Sequence, residues 1–253
     1  MAISAAGKLR QRIVDSALNL LFPPRCVHCH GDFEQRLGEP LVCTTCLEQL
    51  FLDAGDVCRR CAMPVPAVSK NANDCARCRN ERLPYDRATA LGIYSGELRK
   101  AVIAMKQSRH ESLTWAIGGL LANHLKDLQF GTDATAIVPM PIHWSRRMSR
   151  GMNVAELLAE RLGRILDVPV IGDALKCQRK TKKQGTLNPS ERRTNVRGAF
   201  TSSRRVDLDG AEILLVDDVM TTGATVNEAA KVCRRAGAKS IAVAVVARGT
   251  GVD

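Results

Sequence analysis

Two short, continuous apolar runs, residues 213–216 and 241–246, flank a segment of helical periodicity in the last third of the sequence. Such runs are typical of strands that are buried on both faces of a parallel sheet. The segment between them stops before Gly237, a residue suited to a helix end, and has one apolar face formed by Val226, Ala229, Ala230 and Cys233. The pattern predicts a β-α-β unit.

A similar order of patterns occurs earlier in the chain. Residues 136–138 predict a strand, and a basic loop with Arg146, Arg147 and Arg150 follows it. Asn153, with Glu156 three residues later, predicts the start of a helix. The buried face of that helix comprises Val154, Leu157, Leu158, Leu162 and Ile165.

The N-terminal residues 3–22 carry apolar side chains at helical spacing, which predicts a helix packed on its own protein. A role at a membrane surface or on a partner is the alternative. No stretch of the sequence approaches the roughly 20 uncharged apolar residues of a membrane span, and we recognise no signal peptide. We therefore expect a cytoplasmic protein without a membrane span.

Eight of the ten cysteines form four pairs, each with two residues between its members. Adding 32 to the positions of the first two pairs gives the last two, which indicates a short internal duplication. The pairs are Cys26/Cys29, Cys43/Cys46, Cys58/Cys61 and Cys75/Cys78. Because two such pairs can surround one ion with four thiolates, we predict two structural zinc sites rather than disulfides.

The spacing of the cysteines leaves their grouping open between a sequential and a cross-braced arrangement, and the tandem repeat favours the sequential one. His28 and His30 lie beside the first pair and could replace a thiolate, but eight thiols suffice for two sites. Sites with four protein ligands have no open position for water. Catalysis must therefore be sought elsewhere in the chain.

The net charge of +11 is concentrated after residue 85, since residues 86–253 hold +9 of it. The densest basic stretch is 176–205, where ten Lys or Arg residues meet one acid. Such a field attracts the phosphates of nucleic acid or of a small phosphorylated ligand. A solvated basic hairpin is the alternative interpretation.

Two acids, Asp217 and Asp218, directly follow the first of the two apolar runs, at the end of a parallel strand where open α/β sheets bind ligands. An anion cradle at a helix start comes next, formed by Thr221, Thr222, Gly223, Ala224 and Thr225. Paired carboxylates can accept hydrogen bonds from two ribose hydroxyls while the cradle holds a 5′-phosphate. The segment has neither the lysine of a Walker loop nor the spaced glycines of a dinucleotide loop.

Residues 213–225 resemble the phosphoribosyl pyrophosphate (PRPP) motif of type I phosphoribosyltransferases, with four apolar residues, two acids and a Thr-Thr-Gly-x-Thr loop. Over residues 20–248 the sequence resembles the competence protein F (ComF) family, in which a cysteine-rich zinc module precedes a phosphoribosyltransferase fold. Besides the cysteines and the loop, the matching positions are Tyr94, Leu98, Lys106, 138–141, 150–153, Gln184, Arg192, Arg193 and 195–200. Met152 and Val154 depart from the Phe and Gln that are usual in the family.

The resemblance implies an α/β fold, a type I phosphoribosyltransferase-like parallel sheet flanked by helices, after a small zinc-ribbon module. We expect an N-terminal helix over residues 1–22, a double zinc-ribbon module over 23–84 and a phosphoribosyltransferase-like domain over 85–253. The resemblance also implies that PRPP binds together with Mg²⁺, and that residues 177–200 form a mobile hairpin that closes over the ligand.

The same resemblance implies roles for single residues. Asp217 and Asp218 would assist catalysis by charge and position rather than as strong bases. Arg150 would contact the pyrophosphate, with a solvent-facing arginine as the alternative. Lys106 would also contact PRPP, and it follows a short helical pattern formed by Leu98, Val102 and Ile103.

The link of the family to natural transformation implies single-stranded DNA and a competence helicase or ATPase as partners. No hood for an acceptor base is evident in the sequence, so transferase activity stays an open question. A protein that handles single-stranded DNA and has lost the transferase activity is the alternative. We interpret Cys177 and Cys233 as packing residues rather than nucleophiles.

Overall fold

The computed structural model describes residues 23–34, 41–51, 57–65, 75–181 and 188–250. The helix predicted over residues 1–22 lies outside these ranges, as do residues 182–187 of the basic stretch. The domain boundaries therefore stay predictions.

Two sheets are described, a central parallel one and a small antiparallel one. The strands are β1 (Arg87–Ile93), β2 (Ala136–Pro139), β3 (Leu175–Cys177), β4 (Phe200–Ser202), β5 (Glu212–Met220) and β6 (Ser240–Arg248). The central sheet has the order β1-β6-β5-β2, and all its neighbours are parallel. Val170 adds a parallel bridge to Ile137 at the β2 edge.

The helices of the described residues connect and cover the central sheet. They are α1 (Thr44–Leu50), α2 (Ala76–Asn80), α3 (Gly96–Met105), α4 (Glu111–Asp127), α5 (Trp144–Arg150), α6 (Val154–Leu166), α7 (Pro189–Val196) and α8 (Ala224–Arg235). A strand-helix-strand connection between parallel strands, as in β5-α8-β6, is the predicted β-α-β unit.

Both faces of the central sheet are buried, which explains the continuous apolar runs of β5 and β6. Leu214 and Val216 belong to one core, together with buried residues of α3, α4 and α6. Ile213 and Leu215, which alternate with them, belong to a second core on the side of α8. A fully buried side chain such as Leu158 contributes about 1.5–3 kcal/mol to stability. The two cores therefore fix the strand from which the acidic pair projects.

The two cysteine-rich halves repeat each other in backbone structure as well as in sequence. Features that recur 32 residues apart are the antiparallel bridges Arg25–Asp32 and Val57–Pro64, the left-handed residues His30 and Ala62, and the helix starts Thr44 and Ala76. The halves differ in where they pack. The first joins the core of α3 and α4 through Val42 and Leu50, whereas Ala62 of the second joins the core of α8.

Two details of the sequence-based prediction are wrong. The basic loop predicted after β2 is the helix α5, which ends at Gly151 with a φ of 75°. Helix α5 has no buried residue, so apolar periodicity did not indicate it. The short helical pattern of Leu98, Val102 and Ile103 is confirmed as α3, in which Ile103 is 43% exposed. The strand predicted over 213–216 continues to Met220, so the two acids lie within β5 rather than after it.

The basic segment 177–200 begins and ends as an antiparallel ribbon, because Cys177 pairs with Phe200. Helix α7 lies between the two strands and was not predicted. It begins with a complete capping box of Asn188 and Glu191, which substitutes for an apolar face as the local signal. The closing motion expected for this segment stays a prediction.

No helix within the described ranges has both the length and the apolar character that a bilayer crossing requires.

Candidate functional site

The acidic pair lies near the carboxyl end of β5. Asp217 is in register with Val245 of β6, and its Oδ1 atom accepts a hydrogen bond of 2.8 Å from the backbone N–H of Asp218. The Nζ atom of Lys106 lies 2.9 Å from the Oδ2 atom of Asp218. Lys106 directly follows α3, so this helix supplies a cation to the acidic pair.

Burial and the adjacent charge of Asp218 raise the pKa of Asp217 well above its ordinary value. For Lys106, burial alone would lower the pKa, but the carboxylate of Asp218 outweighs this and raises it. The lysine therefore stays protonated at neutral pH. Perturbed groups of this kind are common in functional sites.

Residues 221–225 run from the end of β5 into the first turn of α8, and we call them the phosphate loop. Gly223, with a φ of 72°, occupies the N-cap position of α8. Because it has no side chain, it cannot cap the first N–H groups of this helix. The Oγ1 atom of Thr222 accepts a hydrogen bond of 3.4 Å from the N–H of Ala224. The N–H groups of Thr222 and Gly223 meet no hydrogen-bond acceptor among the described residues. Together with the helix dipole, they form a site suited to an anion.

The carbonyl groups around the start of the phosphate loop are bound by Arg248, which is only 2% exposed. Its Nη1 atom donates to the carbonyls of Met220 and Gly249, at 2.6 Å each, and to the carbonyl of Thr221. Its Nε atom donates at 2.8 Å to the carbonyl of Cys61, a residue of the second cysteine group. One buried guanidinium thus joins the zinc module to the loop.

Two further arginines contact the phosphate loop. Arg77 of α2 donates a hydrogen bond of 2.5 Å to the carbonyl of Thr222, and Arg192 of α7 donates one of 3.0 Å to the Oγ1 atom of Thr221. Neither Arg77 nor Arg248 was predicted as a site residue. The only sequence signal that could have indicated Arg248 is its position, directly at the end of the apolar run of β6.

Arg150, predicted to contact the pyrophosphate, is the last residue of α5. Burial, and then the nearby charge of Arg150, lower the pKa of Arg146. The segment that leads from β2 to α5 leaves the sheet beside β5, because the N–H of Met140 donates a hydrogen bond of 2.8 Å to the carbonyl of Val216. No hydrogen bond joins Arg150 to the phosphate loop among the described residues. Its role stays a prediction.

The eight paired cysteines form two sequential groups, Cys26, Cys29, Cys43 and Cys46, and Cys58, Cys61, Cys75 and Cys78. The ligand atoms within a group lie within 4.8 Å of one another. Separations between Sγ atoms are 3.9 Å for Cys29–Cys43, 3.9 Å for Cys58–Cys78 and 3.6 Å for Cys61–Cys75. A tetrahedron with Zn–S bonds of about 2.3 Å has edges of about 3.8 Å. The donor set therefore fits zinc, and the sequential grouping is confirmed.

Within each cysteine group the pKa values of the thiols differ: burial and the neighbouring thiols raise the pKa of Cys46 and Cys78, and burial raises that of Cys61 to about 11. Burial alone would raise the pKa of Cys26 and of Cys58, but backbone N–H groups that donate to the sulfurs lower each to about 7. His28 instead lies 3.3 Å from Glu97, as expected for a residue that is not a ligand. Burial raises the pKa of Cys233 to about 12, which fits a packing residue rather than a nucleophile.

A cavity of about 390 Å³ lies along α8, beyond the phosphate loop. Its lining residues are Arg193, Thr194, Arg197, Glu228, Lys231 and Arg235. The single acid, Glu228, lies 3.3 Å from Lys231 and accepts a hydrogen bond of 2.8 Å from the N–H of Gly198. Four cations thus line the cavity, one of which, Arg193, also lies 3.1 Å from Glu81, and the remaining excess of positive charge favours an anion.

Two protein-family models match the chain. The phosphoribosyl transferase domain matches residues 110–251, which include the acidic pair and the phosphate loop. The double zinc ribbon domain matches residues 17–79, which include all eight paired cysteines. The order of the two matches agrees with the order of the two modules in the structure.

Similar proteins include competence protein F of Haemophilus influenzae, 28% identical over 228 residues that cover 88% of this chain and 96% of the relative. The DNA utilization protein YhgH of Escherichia coli K12 is 28% identical over 210 residues, with 82% and 90% covered. Among solved structures, the glutamine PRPP amidotransferase from Bacillus subtilis complexed with ADP and GMP has a TM-score of 0.36 and 18% identity, covering 54% of this chain and 26% of that chain. The chain belongs to the phosphoribosyl transferase domain family, carries a double zinc ribbon domain ahead of that domain, and is similar to competence protein F.

Proposed function

We propose that this protein binds PRPP together with Mg²⁺. One observation carries the proposal: the carboxylates of Asp217 and Asp218 share one strand-loop-helix segment with the N–H groups of Thr222 and Gly223, which meet no acceptor among the described residues. Carboxylates accept hydrogen bonds from ribose hydroxyls, and a helix start binds a phosphate. A ribose 5-phosphate carries both of the groups that these two features bind.

The surroundings of this segment suit the pyrophosphate of PRPP as well. Asp217 and Asp218 supply oxygen ligands of the kind that Mg²⁺ prefers, and the ion would neutralise charge on the pyrophosphate. Lys106, which already lies 2.9 Å from Asp218, is placed to exchange this contact for a phosphate oxygen. Arg150 would act from the neighbouring strand end. These residues bind by charge and position, without a strong base.

Calorimetry with Mg·PRPP tests the proposal. We expect heat of binding for the native protein and none for the variant with Asp217→Asn and Asp218→Asn. Glu160→Gln is the control, because Glu160 is exposed on α6 and is distant in sequence from the acidic pair and the phosphate loop. Equal binding by the double variant and the native protein would end the proposal. Release of pyrophosphate in the presence of nucleobases then measures whether transfer follows binding.

Binding of single-stranded DNA is a second candidate function, and two observations favour it. The four-cation cavity along α8 suits a phosphate backbone, and Trp144 of α5 is 66% exposed in a segment that also holds Arg147. An exposed aromatic ring beside cations is suited to stacking on a base. The names of the relatives, competence protein F and DNA utilization protein, agree with this candidate.

A competition experiment relates the two functions. If Mg·PRPP displaces a labelled oligonucleotide, both ligands depend on the phosphate loop; if it does not, their sites are separate. We place the protein in the cytoplasm, because thiolate zinc sites persist in a reducing compartment. A competence helicase or ATPase as partner stays a prediction from the family resemblance.

A further inference from the structure

The second cysteine group is connected to the phosphate loop by two arginines. Arg248 joins the carbonyl of Cys61 to those of Met220 and Thr221. Arg77 lies in α2, between the third and fourth cysteines of that group, and its hydrogen bond reaches the carbonyl of Thr222. Three consecutive carbonyls, those of residues 220–222, are therefore held from the side of the zinc module.

The geometry of the peptide bond makes this contact relevant to ligand binding. In a trans peptide the C=O of one residue and the N–H of the next point in opposite directions. When Arg248 holds the carbonyl of Thr221, the N–H of Thr222 points away from the zinc module. When Arg77 holds the carbonyl of Thr222, the N–H of Gly223 does the same. These are the two N–H groups that meet no acceptor among the described residues.

The two arginines also add charge without occupying the site. Burial, and then the nearby charge of Arg77, lower the pKa of Arg248. The desolvation cost of burying these two guanidinium groups is offset by their hydrogen bonds to carbonyl groups, because charged donors make stronger hydrogen bonds than neutral ones. Among the described residues, no hydrogen bond joins the first cysteine group to the phosphate loop.

We propose that Arg77 and Arg248 are positioning residues for the phosphate loop, and that the second zinc site, rather than the first, holds the loop in its anion-binding conformation. The identity of the anion rests on the proposed function, but the positioning itself does not. Loss of zinc from the second group, or of either arginine, frees the carbonyls of residues 220–222 and lets the N–H groups rotate away from the ligand.

The test compares Arg77→Met with Arg79→Met in the full-length protein. Arg79 lies on the same helix, is exposed, and its side chain makes no hydrogen bond or ion pair with another described residue. Hydrogen exchange of peptides that contain residues 217–225 is measured without ligand, and binding of Mg·PRPP by calorimetry. We expect Arg77→Met to speed exchange of the loop and to weaken binding about tenfold, the effect of one lost charged hydrogen bond. Two zinc ions per chain should remain, and Arg79→Met should behave as the native protein.

A second pair of variants tests the zinc part and does not depend on Arg248, whose replacement could prevent folding. Cys75→Ser removes a ligand of the second group, and Cys29→Ser removes one of the first. Each variant should bind one zinc ion per chain. Loop exchange should increase for Cys75→Ser and stay unchanged for Cys29→Ser.

The outcomes separate this inference from the proposed function. Faster loop exchange in Arg77→Met and Cys75→Ser supports positioning even if the native protein gives no heat with Mg·PRPP, which would sink only PRPP binding. Unchanged loop exchange in both variants overturns the positioning role. Equal effects of Cys29→Ser and Cys75→Ser overturn the assignment to the second zinc site.

Discussion

The Nζ atom of Lys106 lies 2.9 Å from the Oδ2 atom of Asp218, so the acidic pair has a counter-ion of its own in the protein without ligand. Because Lys106 contacts Asp218, the negative charge of Asp217 is less well compensated. Asp217 is influenced by the charge of Lys106, but burial and Asp218 outweigh this influence and raise its pKa. The site is therefore held in a conformation that costs stability, as expected where a ligand later supplies the missing cation.

Replacement of Asp217 by asparagine should stabilise the protein at neutral pH. A carboxyl group whose pKa is higher in the folded state opposes folding increasingly as the pH rises from the unfolded pKa through the folded one. The amide of the Asp217→Asn variant carries no such charge, so we expect a melting temperature higher by about 2–4 °C at pH 7.5, equivalent to about 1 kcal/mol. Thermal unfolding at several pH values measures the difference.

The gain should shrink as the pH falls, because the native Asp217 then becomes protonated and loses its penalty. It should vanish near about pH 4, the ordinary range of aspartate. Glu160→Gln on the surface of α6 is the control and should leave the melting temperature unchanged at every pH. A destabilised Asp217→Asn protein at pH 7.5 would contradict the strained state inferred for this residue.

Each cysteine group should bind one zinc ion independently of the other. The sequential grouping predicts that the variant with Cys29→Ser and Cys43→Ser, both in the first group, loses one ion per chain and keeps the other. A cross-braced module would lose both ions in this variant, because Cys29 and Cys43 would then belong to different sites. Native mass spectrometry counts the ions directly. Loss of both ions from this double variant would contradict the grouping.

A methyl group added at Gly249 should weaken ligand binding at the phosphate loop. A Cβ atom there would lie 2.8 Å from the Cγ2 atom of Thr221 and 3.4 Å from its Cα atom, so the loop must shift. Overpacking of this kind costs about 1–3 kcal/mol, and we expect Gly249→Ala to bind Mg·PRPP about tenfold more weakly. Gly172→Ala is the matched control, because a Cβ atom at Gly172 meets open space. Equal calorimetric affinities would show that the loop tolerates the shift.

The parts of the site that are contiguous in sequence could be predicted, and those that depend on distant contacts could not. The acidic pair and the phosphate loop share one segment of β5 and α8, and cysteine spacing alone indicated two zinc groups. The contact of Arg248 with Cys61 spans 187 residues, and that of Arg77 with Thr222 spans 145. No local pattern encodes such pairs, since they depend on how the zinc module packs on the sheet.

Helices without an apolar face were the second kind of feature that sequence patterns missed. Helix α5 has no buried residue, and α7 is defined by its capping box rather than by periodicity. Helix α5 is strongly basic, α7 carries two arginines and one glutamate, and the two were interpreted as a loop and a hairpin. The error follows from the method of prediction, because hydrophobic periodicity reports the buried face of a helix and is silent where there is none.

The cavity along α8 should contribute phosphate contacts if the protein binds single-stranded DNA. Arg197→Ala with Arg235→Ala removes two of its four cations. Each lost phosphate contact should reduce the log–log slope of affinity against salt by about 0.7, so we expect a decrease of about 1.4 for the double variant. Lys126→Ala, an exposed cation on α4, is the control. Fluorescence anisotropy at several salt concentrations gives the slopes, and an unchanged slope would exclude the cavity from the DNA site.

The exposed indole of Trp144 should contribute to DNA affinity through stacking rather than charge. Trp144 is 66% exposed, and Met148, one turn later on α5, is 78% exposed. Replacing each by alanine therefore compares the loss of an aromatic ring with the loss of a thioether at similar exposure. Stacking of a base on an aromatic ring is worth about 1–3 kcal/mol, so Trp144→Ala should weaken binding of an oligonucleotide about tenfold or more. Because no phosphate contact is lost, its salt slope should equal that of the native protein.

Met148→Ala should leave the affinity nearly unchanged, since a thioether offers no comparable stacking surface. The other tryptophan, Trp115, has Arg161 and Arg164 over its ring at 5.1 and 5.0 Å and cannot substitute for an exposed platform. Quenching of tryptophan fluorescence by the oligonucleotide should therefore disappear in Trp144→Ala and persist in Met148→Ala. If the two variants bind equally well, the indole does not contact the base, and any affinity for DNA must come from the cations alone.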